Sequence, residues 1–308
     1  MHFVRQQIKE LTSSNIVELY NAWSSTTTYS LELDNDNLTN ASMVYYNGFY
    51  YRSLTNNNLN KNPEETENVY WFKHSISNKN AMFDLSAQTK SIMYNDDLVV
   101  VFPQNNITTL GLGYYTASQV IIEVLDDDLE TVLSTIDTGN HINDNVTDYW
   151  TYIYEDYNEF VELATKVSIN TIGAYIRVTF KESVDANYAS CGFLVGGDAV
   201  FMGNTLWGVN FSFNSFAIKD YDSLGALTIT KGAVQDLVDC ECDIETSGVM
   251  ELRRNIKRVY NDIVMFILDE RDDSNYENLI TLGVIQDASV VLQNAVLSTI
   301  SYSIMEAI

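Results

Sequence analysis

The chain has 308 residues, of which 46% are hydrophobic and 19% are charged. The hydrophobic share is that of a folded protein, which excludes intrinsic disorder, and at roughly 150 residues per domain the length suits two or three domains. The 17 lysines and arginines stand against 42 aspartates and glutamates, giving a net charge of -25. Because such a surface repels phosphates, we expect no nucleic-acid partner.

The composition predicts a mainly β protein, since 20 Tyr and 13 Phe accompany only two Pro. Cys240 and Cys242 would point to the same side of a strand and cannot easily bridge, while Cys191 is distant, so three free thiols are expected. Free thiols and a first segment without an apolar run suggest synthesis in the cytoplasm of a bacterial host. The uncharged run 288–305 alternates like a strand, so no membrane insertion is expected.

The first third of the chain divides into two segments. Residues 1–15 carry Phe3, Val4, Ile8 and Leu11 on one side of an amphipathic pattern, which predicts a short N-terminal helix or docking arm. Residues 16–72 are dense in aromatic and turn residues and predict a small aromatic-rich β module.

The middle of the chain, residues 73–205, has the spacing of an all-β domain. Short strands separated by Asp, Asn and Gly predict an antiparallel, jelly-roll-like β-sandwich. The predicted strands are 98–102, 120–124, 131–136, 149–154, 165–169, 174–180 and 189–195.

The last segment, residues 206–308, predicts a β domain with one α-helix. The helix is placed at 249–260, with Ser247 as its N-cap and an apolar stripe of Val249, Leu252, Ile256 and Tyr260. The predicted strands around it are 210–219, 226–231, 234–244, 263–268, 279–285 and 288–304.

No set of residues in the sequence assembles a catalytic or metal site. His2, His74 and His141 lie in three different regions, outside any nucleophile motif or zinc-ligand spacing. The acidic clusters 34–37 and 126–128 lack the glycine and distal glutamate of a calcium loop and are interpreted as turns. We therefore expect no catalytic residues, no metal and no cofactor.

The aromatic module resembles small chitin-binding modules. AWSSTTTY at 22–29, VYYNGFYY at 44–51 and VYW at 69–71 follow that family's A-W, Y-N-G and W pattern. The resemblance implies stacking of Trp23, Tyr29, Tyr50 and Trp71 on sugar rings, because the C–H faces of a pyranose match an aromatic plane. The family's further exposed aromatic pair is replaced by RSLT at 52–55. These four aromatics could instead form the core of a small module.

A second resemblance runs from about residue 20 to the end of the chain. SNKNAMFD at 77–84 resembles the N-R-W-A-M-F-D signature of a group of tailed-bacteriophage tail proteins, with Lys79 and Asn80 in place of its Arg and Trp. Further resemblances follow in the same order: DYW at 148–150 before Phe160, the glycine pair at 196–197, DYDS at 220–223, the helix and strand at 246–270, and the closing strands at 279–308.

The phage resemblance implies a virion component of the tail tip or baseplate, with a chitin-binding-module-like N-terminus, a carbohydrate-binding-like β-sandwich and a tail-hub-like C-terminal domain. The leading hypothesis is a structural protein that forms a homo-oligomeric ring with other tail proteins. The alternatives are a receptor-binding protein that recognises host surface glycan through its first two modules and, further off, a polysaccharide-degrading enzyme. Arg253, Arg254, Lys257 and Arg258, on the exposed side of the predicted helix, are the candidate assembly interface; they could instead be a solvated helix face.

Overall fold

In the computed structural model the described residues are 1–31, 42–86, 89–140, 164–183, 186–221, 227–268, 279–292 and 296–307. Strands in several antiparallel sheets dominate them, and they contain a single α-helix. The prediction of a mainly β fold is confirmed. All three cysteines are free thiols, also as predicted. No helix among these residues is long and apolar enough to span a bilayer.

The aromatic module is built on two small sheets. A three-stranded sheet runs β4-β5-β7, and a two-stranded ladder joins β3 to β6. The strands are β3 (Thr28–Tyr29), β4 (Met43–Tyr46), β5 (Phe49–Ser53), β6 (Asn58–Leu59) and β7 (Trp71–Ile76). Asn47 and Gly48, both at positive φ, make the tight turn between β4 and β5. The module has its own core of Tyr29, Val44, Tyr51 and Trp71.

The middle domain is a β-sandwich. Its five-stranded sheet, in the order β12-β11-β14-β9-β2, faces the three-stranded sheet β13-β10-β16 across one apolar core, and β8 pairs with β15 beside them. The strands are β2 (Ser13–Ser14), β8 (Ser91–Tyr94), β9 (Leu98–Pro103), β10 (Thr109–Gly113), β11 (Gln119–Leu125), β12 (Val132–Asn140), β13 (Ala164–Ser168), β14 (Tyr175–Phe180), β15 (Tyr188–Cys191) and β16 (Phe193–Gly197). The predicted strand 149–154 lies outside the described residues.

The last domain is one large antiparallel sheet. Its order is β17-β1-β23-β24-β25-β22-β18, with β19 also pairing along β22, and a separate hairpin pairs β20 with β21. The strands are β1 (His2–Val4), β17 (Ala199–Phe201), β18 (Asn204–Thr205), β19 (Asn210–Ser215), β20 (Ile218–Tyr221), β21 (Leu227–Thr230), β22 (Val234–Glu245), β23 (Val264–Ile267), β24 (Ile280–Val291) and β25 (Leu297–Glu306). The run predicted as one strand at 210–219 is therefore two.

The predicted N-terminal helix is wrong, because residues 2–4 are strand β1. This strand lies between β17 and β23, with His2 opposite both Phe201 and Ile267. Phe3 packs into the core on one face of the sheet and Val4 into the apolar cluster on the other. Only a strand sends neighbouring side chains to opposite faces, so two adjacent buried residues exclude the helix.

The one described helix, α1 (Val249–Val259), packs on the sheet as predicted and ends one residue early. Leu252 and Ile256 are buried in the core, but Val259 completes the stripe at 1% exposure and Tyr260 is 37% exposed. The predicted N-cap is also wrong. Ser247 lies within a 3-10 turn, Thr246–Gly248, and Gly248 takes the cap position without a side-chain hydrogen bond.

An apolar junction joins the sandwich to the C-terminal sheet. Val4, Met265, Ile267 and Leu282 on the outer face of that sheet form one buried cluster with Phe193 and Val195 of the sandwich. A Cβ at Gly111 would lie 1.8 Å from Met265 Sδ, so the backbone of β10 touches β23 directly. The two domains therefore share a buried apolar cluster.

Candidate functional site

Trp71 and Tyr29, two of the predicted sugar-stacking residues, form the centre of the aromatic module. Trp71 is fully buried, and its Nε1 donates to the Lys61 carbonyl across 2.9 Å. Its ring meets that of Tyr29 edge-on, with 5.1 Å between the ring centroids. Neither ring offers a face to solvent, so neither can stack on a sugar as placed.

Tyr50, the third predicted residue, ties the module to the rest of the chain. Its buried hydroxyl donates to the Glu18 carboxylate and accepts from the backbone N–H groups of Leu19, at 3.0 Å, and Asn78, at 2.9 Å. Desolvation, helped by the hydrogen bond to Glu18, raises the pKa of Tyr50 to about 12. This phenol therefore connects three separate segments as a structural group.

Trp23, the fourth predicted residue, is half-buried. Its ring meets Tyr46 at 82°, with 5.6 Å between centroids. The expectation that Trp23, Tyr29, Tyr50 and Trp71 form one sugar-stacking surface is thus corrected: three of them are buried core residues. A module this small needs its aromatics inside because it has few other apolar groups to bury.

The motif at 77–84 also contains buried residues that hold parts of the fold together. Asn78 is buried, and its side-chain amide donates to the carbonyls of Val17 and Ile92 while its Oδ1 accepts from the Ile92 N–H. Met82 is fully buried in the sandwich core. Sequence reasoning used this segment only as a resemblance and did not identify Asn78 as a cross-linking residue. A lone Asn gives no periodic signal, so its partners emerge only from the fold.

The predicted basic cluster is brought together on one surface. Arg253, Arg254, Lys257 and Arg258 are all exposed on α1, on the side opposite Leu252. None of them forms an ion pair with another described residue; the described ion pairs are Arg5–Asp262, Arg177–Glu123 and Lys181–Asp97. The cluster is therefore a compact positive patch on a strongly acidic protein.

A second surface was not predicted and lies in residues 211–221 and 227–234, here termed the apolar arm. Phe213 is 71% exposed and Ile218 is 61% exposed; Phe216, Ile229 and Val234 are also more than half exposed. Phe211 is opposite Val238 in the β19–β22 ladder, on the face that forms the domain core. The apolar face of the core thus continues along β19 to Phe213, which lies in solvent.

The sequence pattern indicated part of this arm. The run was predicted as one strand, 210–219, and the exposure of its apolar side chains was not considered. In NFSFN, at 210–214, the aromatics alternate with polar residues as on a half-buried strand. Alternation predicts an apolar face that has to be buried, but it does not show whether the same chain or another molecule buries it.

The polar face of the same sheet carries a shallow concavity of about 360 Å³. Its lining includes Asp239, Glu241 and Asp287 with serines from β24 and β25. No group of three His, Cys, Asp or Glu side chains in the described part of the chain is arranged to hold a metal ion.

No protein-family model and no curated protein sequence matches the chain. Among solved structures, it is similar to a family 32 carbohydrate-binding module from a family 31 glycoside hydrolase of Clostridium perfringens. That similarity covers 39% of this chain and 83% of the module, at 9% sequence identity and a TM-score of 0.25. A TM-score this low assigns neither a fold nor a function.

Proposed function

We propose that the chain is a structural subunit of a tailed-bacteriophage virion, in the tail tip or baseplate region, that assembles with copies of itself and with other tail proteins. The observation that carries the proposal is the apolar arm. Soluble monomers rarely leave several large apolar side chains together in water, and such a patch is typical of a surface that a partner covers.

Charge explains why the arm would be needed. Copies of a protein with net charge -25 repel one another, so assembly has to bury enough apolar surface to offset that repulsion. Each large apolar side chain contributes about 1.5–3 kcal/mol when it is fully buried. The five most exposed members of the arm can therefore supply several kcal/mol per contact.

The positive patch on α1 supports the same proposal from a different direction. It is the densest group of cations on the chain, and acidic surface is abundant on every copy. A contact between the patch and a neighbour's acidic face would set orientation and speed encounter, while the arm supplies affinity. The tail location itself comes from the sequence resemblance at 77–84 and beyond.

Self-association can be tested on the purified full-length chain. We expect sedimentation velocity to show concentration-dependent oligomers, and the double variant Phe213→Ser/Phe216→Ser to remain monomeric. Ile172→Ser is the matched control because Ile172 is 90% exposed but lies in the sandwich. A wild-type chain that stays monomeric at high concentration would contradict assembly through the arm.

The virion location needs a separate measurement. We expect mass spectrometry of gradient-purified phage particles to recover the chain in more than one copy per particle, and labelled antibody to mark the tail end. Detection only in the soluble lysate would contradict the virion role even if the chain oligomerises.

A further inference from the structure

Three sulfur atoms meet at the centre of the C-terminal core. Met1 Sδ lies 3.9 Å from Cys240 Sγ and 3.7 Å from Cys242 Sγ. All three residues are buried, and they belong to the same apolar cluster between the sheet and α1. Nothing proposed above for the arm or the positive patch uses them, so this inference is independent of the proposed function.

The backbone fixes each of the three residues. Cys240 and Cys242 are two positions apart on β22, so their side chains leave the same face of the strand. Met1 is held above them by its neighbours, because the Met202 N–H donates to its carbonyl at 3.0 Å and its own nitrogen donates to the Gly203 carbonyl at 2.6 Å. Paired main chain therefore holds the backbone of all three residues, and the surrounding core buries their side chains.

The two distances from Met1 Sδ to the cysteine sulfurs, 3.9 and 3.7 Å, are close to the sulfur spacing of a three-coordinate metal site. A metal ion bonded to three sulfurs at about 2.3 Å in one plane holds those sulfurs about 4.0 Å apart. Thiolate and thioether donors are soft ligands that select monovalent copper, whereas structural zinc takes four ligands. We propose that Met1 Sδ, Cys240 Sγ and Cys242 Sγ form a buried three-sulfur site for Cu(I).

Binding requires no oxidant or reductant. Cu(I) enters as the monovalent ion and forms bonds to the two cysteine sulfurs and the thioether, and the thiol protons that it displaces go to buffer. No electron moves, and the copper stays monovalent. The competing explanation is that the three residues only fill space, since Met and Cys are both good core packers.

The first test is an anaerobic titration of the full-length chain with Cu(I) in competition with the chelator bicinchoninate. We expect one Cu(I) per chain, with near-ultraviolet absorption from copper–thiolate bonds. Cys240→Ser and Cys242→Ser should each weaken binding by at least about 100-fold. Cys191→Ser is the matched control, since Cys191 is equally buried but lies in the sandwich core, and it should bind as the wild type does.

A second measurement tests whether the Met1 side chain binds copper, without replacing that residue. Copper-edge X-ray absorption on selenomethionine-labelled protein should show two sulfur neighbours and one selenium neighbour. Met202→Leu, a change of similar volume in the same core, should keep the selenium signal and so assign it to Met1. This measurement decides the matter even if the cysteine variants fail to fold.

Several results would overturn the site. They are no binding against bicinchoninate, binding that Cys191→Ser abolishes, copper with no selenium neighbour, or loss of that neighbour in Met202→Leu. Zinc held as tightly as copper would overturn the assignment of the metal.

Discussion

The Tyr50 hydroxyl donates to the Glu18 carboxylate across 2.5 Å, joining the aromatic module to the segment that precedes it. The same oxygen accepts from the Leu19 and Asn78 N–H groups, so Tyr50→Phe leaves two backbone donors and a carboxylate oxygen without their partner. Hydrogen bonds to charged groups are worth about 1.5–3 kcal/mol each. We expect the variant to lose stability by about that amount in urea unfolding at pH 7.

The stabilisation by Tyr50 should also depend on pH. Burial raises the pKa of Tyr50 to about 12 from the ordinary 10.0, so the folded state favours the neutral phenol. This contribution is fully present below about pH 10 and is lost as pH rises toward 12. The stability difference between wild type and Tyr50→Phe should therefore shrink between about pH 10 and pH 12. A difference that stays constant over this range would contradict the assignment.

The apolar stripe of α1 gives a second prediction. Leu252→Ala removes a buried side chain from the core and should cost about 2–5 kcal/mol. Met250→Ala is the control, because Met250 is on the exposed side of the helix and should change stability by less than about 0.5 kcal/mol. Urea unfolding gives the size of the loss, and hydrogen exchange across 249–259 should localise it. Equal effects of the two variants would mean that the stripe is misassigned.

Helix α1 and strand β1 show which elements hydrophobic periodicity can predict and which it cannot. Leu252 and Ile256 were predicted because helical spacing directly encodes one buried face. The strand at 2–4 was not predicted, because a three-residue strand has no period and its two partners come from residues 199–201 and 264–267. Strand β10 was missed for another reason: TLGLG carries two glycines, which strand propensity disfavours, yet close packing against Met265 and Phe193 requires them.

The candidate site was harder to predict than the fold. The sequence identified a group of four aromatic residues, Trp23, Tyr29, Tyr50 and Trp71. It does not show whether such a residue stacks on a sugar at the surface or packs against its neighbours in the core. The cations of α1 were located correctly because a helix face is local. Whether the aromatic group or the cations of α1 bind anything depends on a partner molecule, and the sequence pattern of this chain does not specify that partner.

The buried aromatics lead to a prediction about glycans. Trp71→Ala should destabilise the chain by about 3–5 kcal/mol, because it empties the centre of the module. We also expect no sub-micromolar ligand on a glycan array, since Ser53 and Leu54 replace the further aromatic pair of the chitin-binding modules. Val69→Ala, at a residue of the same module that is 63% exposed, is the control for stability. A tight sugar complex that depends on Trp23 would instead favour the receptor-binding hypothesis.

The positive patch predicts a defect in assembly without a defect in folding. The triple variant Arg253→Glu/Arg254→Glu/Lys257→Glu should keep the wild-type circular dichroism spectrum and melting temperature to within about 3 °C, because these side chains are exposed. It should fail to enter oligomers or phage particles. The control reverses Lys9, Lys79 and Lys90, which changes the net charge equally but lies outside α1. Normal incorporation of the α1 variant would contradict a role for the patch.

The junction between the domains gives the last prediction. Gly111→Ala would place a methyl group against the buried Met265 side chain, and overpacking of this kind costs about 1–3 kcal/mol. In the pair with Met265→Ala the two losses should be less than additive, because the shortened side chain leaves the space that the new methyl group needs. The readout is the urea midpoint of each single variant and of the pair. Strictly additive losses would show that the two residues do not touch.

The position of β1 has a consequence for synthesis on the ribosome. The strand at 2–4 emerges well before β23, but its ladder to β23 needs residues 264–267, and the sheet is completed only when β25 is made. At a synthesis rate of roughly 5–20 residues per second, β1 waits about 10–50 s for β23. The sandwich and the aromatic module can form during this delay, whereas the C-terminal sheet closes after them. A nascent chain that is cut short between residues 202 and 263 would therefore keep a compact middle and a strand β1 that can pair with β17 but not with β23.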